Sequence, residues 1–158
     1  MSEDSVSWTD KVDPLDIVYC NFPEEGALVP APKPRPALVL NVADDQDPQR
    51  IQVAYGTSRK TTQMYSGEFQ LTPRDGEVFK QSGLAEAGKF HLKRTAWLPY
   101  NERWFKPKPA LPSMLTPRMG KLDLRLSPSV KQRFVAAATA AGLFTGDASP
   151  VDDGNIQS

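Results

Sequence analysis

Residues 33–57 read KPRPALVLNVADDQDPQRIQVAYGT, and the fold turns on this stretch. PALVLNV (36–42) is a nearly continuous apolar run, the pattern of a strand covered on both faces. RIQVAYGT (50–57) alternates instead, which places Ile51, Val53 and Tyr55 on one face. The aspartates between them, Asp44, Asp45 and Asp47, lack the glycine and later glutamate of a calcium loop and run into Pro48. They read as a solvated hairpin turn. Strands joined in this way are antiparallel neighbours, so Arg35 at one start is expected beside Thr57 at the other end.

Working outward, LDIVYCNF (15–22) is a β-branched and aromatic run that ends at Pro23. GEFQL (67–71) closes at Pro73, and a pair of strands, KFHL (89–92) and RTAWL (94–98), follows. No helix-length amphipathic segment separates the early strands, which favours a small barrel over βαβ units. The strong helix comes late. Ser127 suits its N-cap, Pro128 its first position and Gly142 its stop, with Val130, Phe134, Ala137 or Ala138, and Ala141 as its apolar stripe. The expected fold is mainly β, a small barrel with a C-terminal helix. Residues 14–144 form one domain, between a loose acidic arm (1–13) and a disordered tail (145–158).

Two segments are rich in proline. Residues 23–36 hold five prolines and one glycine, and such a chain cannot supply a full ladder of donors, so it belongs at the surface. Residues 106–117 (KPKPALPSMLTP) are a second such stretch, expected to drape over the barrel.

The chain has 158 residues, with Lys plus Arg equal to Asp plus Glu at 19 each. This balance conceals a separation. Ten of the acids lie in residues 1–25 and 145–158, which leaves 18 bases against 9 acids in the body between them. A basic body suits a polyanion, and the acidic ends suit screening or a second partner. One cysteine, Cys20, and one histidine, His91, exclude an intramolecular disulfide and the common zinc centres. No metal or cofactor is expected. No run approaches the ~20 apolar residues of a membrane span, and the acidic start lacks the features of a secretory signal, so a cytoplasmic chain away from membranes is expected.

Cys20 sits inside an apolar strand and reads as a small buried hydrophobe, not a nucleophile. His91 alternates with Phe90 and Leu92 and is expected to face away from the core, where it can meet a phosphate. The strongest constellation joins Lys33-Pro34-Arg35-Pro36 to Gly56-Thr57-Ser58-Arg59-Lys60. Prolines on both sides of Arg35 stiffen its stalk, and its planar fork fits a phosphate bidentately. Gly56 permits close backbone approach, Thr57 and Ser58 add hydroxyls, and Arg59 and Lys60 add charge. Lys33, Arg59, Lys60, Lys93 and Arg94 extend the positive surface, and Trp97 and Tyr100 offer rings for stacking or for packing.

These residues resemble the MazF/PemK toxins, small SH3-like barrels. In that family the opening strand reads roughly G-D-I-V, a loop ends in R-P-A-V-V-L, and a later strand ends in threonine. Asp16, Ile17 and Val18, then Arg35 to Leu40, then Thr57 match those pieces, and the similarity spans residues 14–105. Leu15 stands where the family has glycine, and residues 106–144 extend beyond the shortest members. The resemblance implies a homodimeric, metal-independent endoribonuclease of a type II toxin–antitoxin system. It would cut single-stranded RNA to a 2′,3′-cyclic phosphate and meet a cognate antitoxin. Arg35 and Thr57 would be catalytic, with Lys33, Ser58, Arg59, Lys60, His91 and Lys93 as RNA contacts. The alternative is a barrel that keeps the fold without the chemistry and binds nucleic acid or a protein.

Overall fold

The computed structural model describes residues 6–24, 28–45, 48–108 and 115–143. Among these, six strands form one antiparallel sheet: β1 (Asp16–Cys20), β2 (Arg35–Ala43), β3 (Arg50–Thr57), β4 (Glu68–Leu71), β5 (Gly88–Pro99) and β6 (Arg118–Lys121). Their order is β4-β5-β3-β2-β1-β6, and the sheet curls into a half-barrel. Two helices complete it, α1 (Glu77–Ser82) and α2 (Pro128–Ala140). The expected mainly β fold with a C-terminal helix is what forms. None of the described helices is long and apolar enough to cross a membrane.

The β2–β3 hairpin has the expected pairing, from Ala37 opposite Tyr55 to Ala43 opposite Arg50. Leu40 is the extra residue of a bulge in it. Asp44 and Asp45 lie in the turn, and Asp47 falls outside the described residues. α2 begins at the Ser127 cap, whose hydroxyl accepts from the Val130 N–H at 3.2 Å, and Gly142 follows it at φ +78°.

The apolar run of β2 is covered on both faces, as its composition requires. On one side Leu38 packs with Ile17, Phe69, Phe90 and, from α2, Val130 and Phe134. On the other, Val39 packs with Val18, Val53, Tyr100, Trp104 and Phe105.

That second face corrects the reading of residues 1–13 as a loose arm. Residues 6–13 are docked on it, with Val12 only 2% exposed. The Trp8 indole donates to the Phe105 carbonyl at 3.0 Å, and the buried Tyr100 hydroxyl donates to the Asp10 carboxylate at 2.9 Å. The arm thereby joins Tyr100, Trp104 and Phe105 in covering the apolar back of β2 and β3. Residues 1–5 and the tail expected at 145–158 lie outside the described residues.

Strand β5 is one continuous element, not a pair. Its partner on β3 jumps from Thr95 opposite Ala54 to His91 opposite Tyr55, so Leu92, Lys93 and Arg94 drop out of register. The Leu92 N–H turns instead to the Gly67 carbonyl at 2.8 Å. Helix α1 and strand β6 were not anticipated. They interlock through two glycines: a Cβ on Gly120 would stand 2.3 Å from the Gln81 carbonyl oxygen, and one on Gly83 would stand 2.3 Å from that of Met119.

Candidate functional site

Arg35 is the first residue of β2, held between Pro34 and Pro36 and paired with Cys20 of β1. Extending the hairpin register two residues past the Ala37–Tyr55 pair brings Arg35 opposite Thr57. Both side chains line one cavity of about 200 Å³ at the open end of the hairpin, with Lys33 and Ser58 beside them. No carboxylate of a described residue lies within 4.0 Å of the Arg35 guanidinium. A half-buried guanidinium that pairs with no described carboxylate, beside two hydroxyls and an exposed lysine, has the donors to receive an oxyanion.

Thr57 already has one local role. Its Oγ1 accepts the Arg59 N–H at 3.1 Å and so turns the chain out of β3. A hydroxyl that accepts in this way keeps its proton to donate elsewhere. Gly56 permits close approach, but of the protein's own backbone. A Cβ there would sit 2.1 Å from the Pro36 carbonyl oxygen. The glycine lets the start of β2 press against β3, and this sets the Arg35 stalk beside Thr57.

The sequence reading missed three charged residues of this cavity, one of them Lys89 of β5, which is bonded to Glu68. Glu86, exposed in the loop between α1 and β5, and Lys108, from the second proline-rich segment, also line it. Neither belongs to a motif, and only the tertiary fold carries them here. Lys106, two residues before Lys108, is tied to β1 by its N–H on the Tyr19 carbonyl, and the Tyr19 N–H donates to the Pro117 carbonyl.

Other anticipated contacts lie elsewhere. Arg59 and Lys60 are exposed in the turn after Thr57, with Lys60 at φ +53°, and neither forms a wall of the Arg35 cavity. Lys93 is exposed against Gly67. His91 does not reach Arg35. Its pairing with Glu68 across β4 and β5 sets its Nε2 4.0 Å from that carboxylate, and its buried Nδ1 has no partner among the described residues. Glu68 is held below the usual carboxylate range. Burial alone pushes it up, but the Lys89 hydrogen bond at 2.8 Å, the Tyr65 N–H and the charges of Lys89 and His91 prevail. Lys89, also bonded to the Gln63 carbonyl, is therefore committed. Tyr100 is fully buried and bonded to Asp10, so it offers no stacking face, whereas Trp97 is 44% exposed.

Cys20 is fully buried, and burial pushes its thiol far up, which leaves it inert. Among the described residues no group of three His, Cys, Asp or Glu side chains is placed to hold a metal ion. No protein-family model matches the sequence, and no curated protein matches it either.

Proposed function

We propose that this chain is an endoribonuclease toxin of a type II toxin–antitoxin system, acting in the cytoplasm on single-stranded RNA. The observation that carries the reading is the meeting of Arg35 and Thr57 in one cavity, from opposite strands of one hairpin. A second observation supports the MazF/PemK resemblance. Leu15, which stands where that family has glycine, has φ +74°, a backbone conformation that glycine adopts without strain.

The chemistry follows from these groups. The ribose 2′-oxygen attacks the adjacent phosphorus, its bond forms as the bond to the 5′-oxygen breaks, and a 2′,3′-cyclic phosphate results. Arg35 neutralises the charge that builds on the phosphoryl oxygens, and Thr57 donates its remaining proton to one of them. Glu86, the carboxylate on the cavity wall, takes the 2′-hydroxyl proton. The departing 5′-oxygen receives a proton from water or from a neighbouring cation. The nucleophile belongs to the substrate, so this route needs no metal to generate it. A homodimer and a cognate antitoxin belong to the same proposal.

Incubation with mixed-sequence RNA in EDTA, followed by end-group analysis, tests it. Cyclic phosphate ends are expected with the parent and are expected to vanish with Arg35→Ala. RNA that is bound but left intact by the parent would overturn the nuclease reading in favour of a binding barrel.

A further inference from the structure

Arg35 also lines a second cavity, which the chemistry above leaves unused. It encloses about 320 Å³, at the lower end of the ~300–1,000 Å³ typical of small-ligand pockets. Phe22 and Tyr55 line it edge to face, with ring centroids 5.5 Å apart. The Arg94 guanidinium lies over the Tyr55 ring, 4.1 Å from its centroid, and 5.5 Å from that of Phe22. Glu24 and Lys33, both exposed, complete the wall. Neither Glu24 nor Arg94 forms an ion pair with another described residue.

We infer that this cavity seats the base of a nucleotide whose phosphate lies at Arg35, and that the base is guanine. The inference rests on the RNA reading of the neighbouring site. A guanidinium held by one face on an aromatic ring offers its other face to a planar group, and arginine planes stack on splayed bases in single strands. Glu24 sets the choice among bases. An ionised carboxylate only accepts, through two adjacent oxygens. Guanine is the base whose pairing edge sets two N–H groups side by side, N1–H and the N2 amino group, and Lys33 can donate to its O6. Adenine and cytosine each put an acceptor next to the amino group, and uracil flanks its single N–H with two carbonyls. Those acceptors would face the carboxylate unpaired.

The test is a heteronuclear NMR titration of the full chain with the 5′-monophosphates of guanosine, adenosine, cytidine and uridine. The guanosine nucleotide is expected to bind about tenfold tighter than the others, the discrimination of a good bidentate contact. Its shifts should centre on Phe22, Tyr55 and Arg94. Glu24→Gln, an exposed and nearly isosteric change, is expected to remove the preference, and Arg94→Ala to weaken all four. Equal affinities, no shifts at these residues, or a preference that survives Glu24→Gln would each overturn the inference. Cleavage assayed in parallel separates the two readings. A chain that cuts RNA without a Glu24-dependent guanine preference retains the nuclease site alone. One that selects guanosine monophosphate but cuts nothing retains this cavity alone.

Discussion

Arg35 and Thr57 face each other across the open end of the β2–β3 hairpin, two residues beyond its Ala37–Tyr55 pair. The hairpin pairing itself fixes their separation. On the proposed reading, Thr57→Val removes a donor used in the transition state and lowers the single-turnover cleavage rate about 10²-fold, with RNA affinity nearly unchanged. Thr57→Ser keeps both the donor and the bond from the Arg59 N–H, so it should cleave close to the parental rate. Equal cleavage by the valine variant would remove Thr57 from the chemistry.

Glu86 lines the same cavity as Arg35, and the proposed reaction assigns it the role of base. Glu86→Gln is expected to slow cleavage about 10²-fold or more. RNA affinity should hold or improve, since a negative charge leaves the anion site. Single-turnover cleavage at the parental rate would assign the proton to another group.

Tyr100 and Asp10 clamp the docked arm to the second core. Burial, followed by the Asp10 carboxylate, pushes the tyrosine hydroxyl far up, so it remains a donor at every accessible pH. Tyr100→Phe leaves that carboxylate without its donor and should cost about 1.5–3 kcal/mol. Hydrogen exchange should accelerate at Trp8, whose N–H donates to the Tyr100 carbonyl, before it does in β2 or β3.

The Glu68–Lys89 pair predicts acid sensitivity. Its side chains are 7% and 6% exposed. Glu68 titrates lower in the folded chain than its ordinary value of 4.5. The unfolded chain therefore takes up the proton first as pH falls. The pair's stabilisation is complete above about pH 5 and is lost as pH falls through the folded value. Glu68→Gln should cost about 3 kcal/mol at pH 7, because it strands a buried ammonium, and should flatten the decline in stability below about pH 5. Urea unfolding at several pH values measures both effects.

Much of the fold was legible because its central hairpin signals strongly. The double-sided run of β2 and the alternation of β3 fix which residues face which core, and so bring Arg35 to Thr57. His91 faces out between the buried Phe90 and Leu92 as its alternation predicts, but its pairing with Glu68 across β4 and β5 has no signal in the sequence. Arg94, one of the residues out of register with β3, lies over Tyr55 and lines the second cavity. Glu86 and Lys108 were invisible as site residues because loops with no motif deliver them. α1, at six residues, is too short for a helical period to be counted. The arm resisted reading because its acidic composition outweighs two apolar anchors, Trp8 and Val12, whose partners lie far along the chain.

The bond between the Trp8 indole and the Phe105 carbonyl spans 97 positions. During synthesis, the chain up to Thr57 has already left the ribosome and can zip its hairpin while the residues that cover one side of it are still untranslated. A greasy β surface is thus displayed on the nascent polypeptide until Tyr100, Trp104 and Phe105 emerge and the waiting arm folds down over them. Contacts between such distant positions form late and slowly, and a naked sheet is prone to sticking in the interval. A stop codon placed before Tyr100 should therefore yield aggregates instead of a smaller barrel, although every residue of the Arg35 cavity except Lys108 would be present.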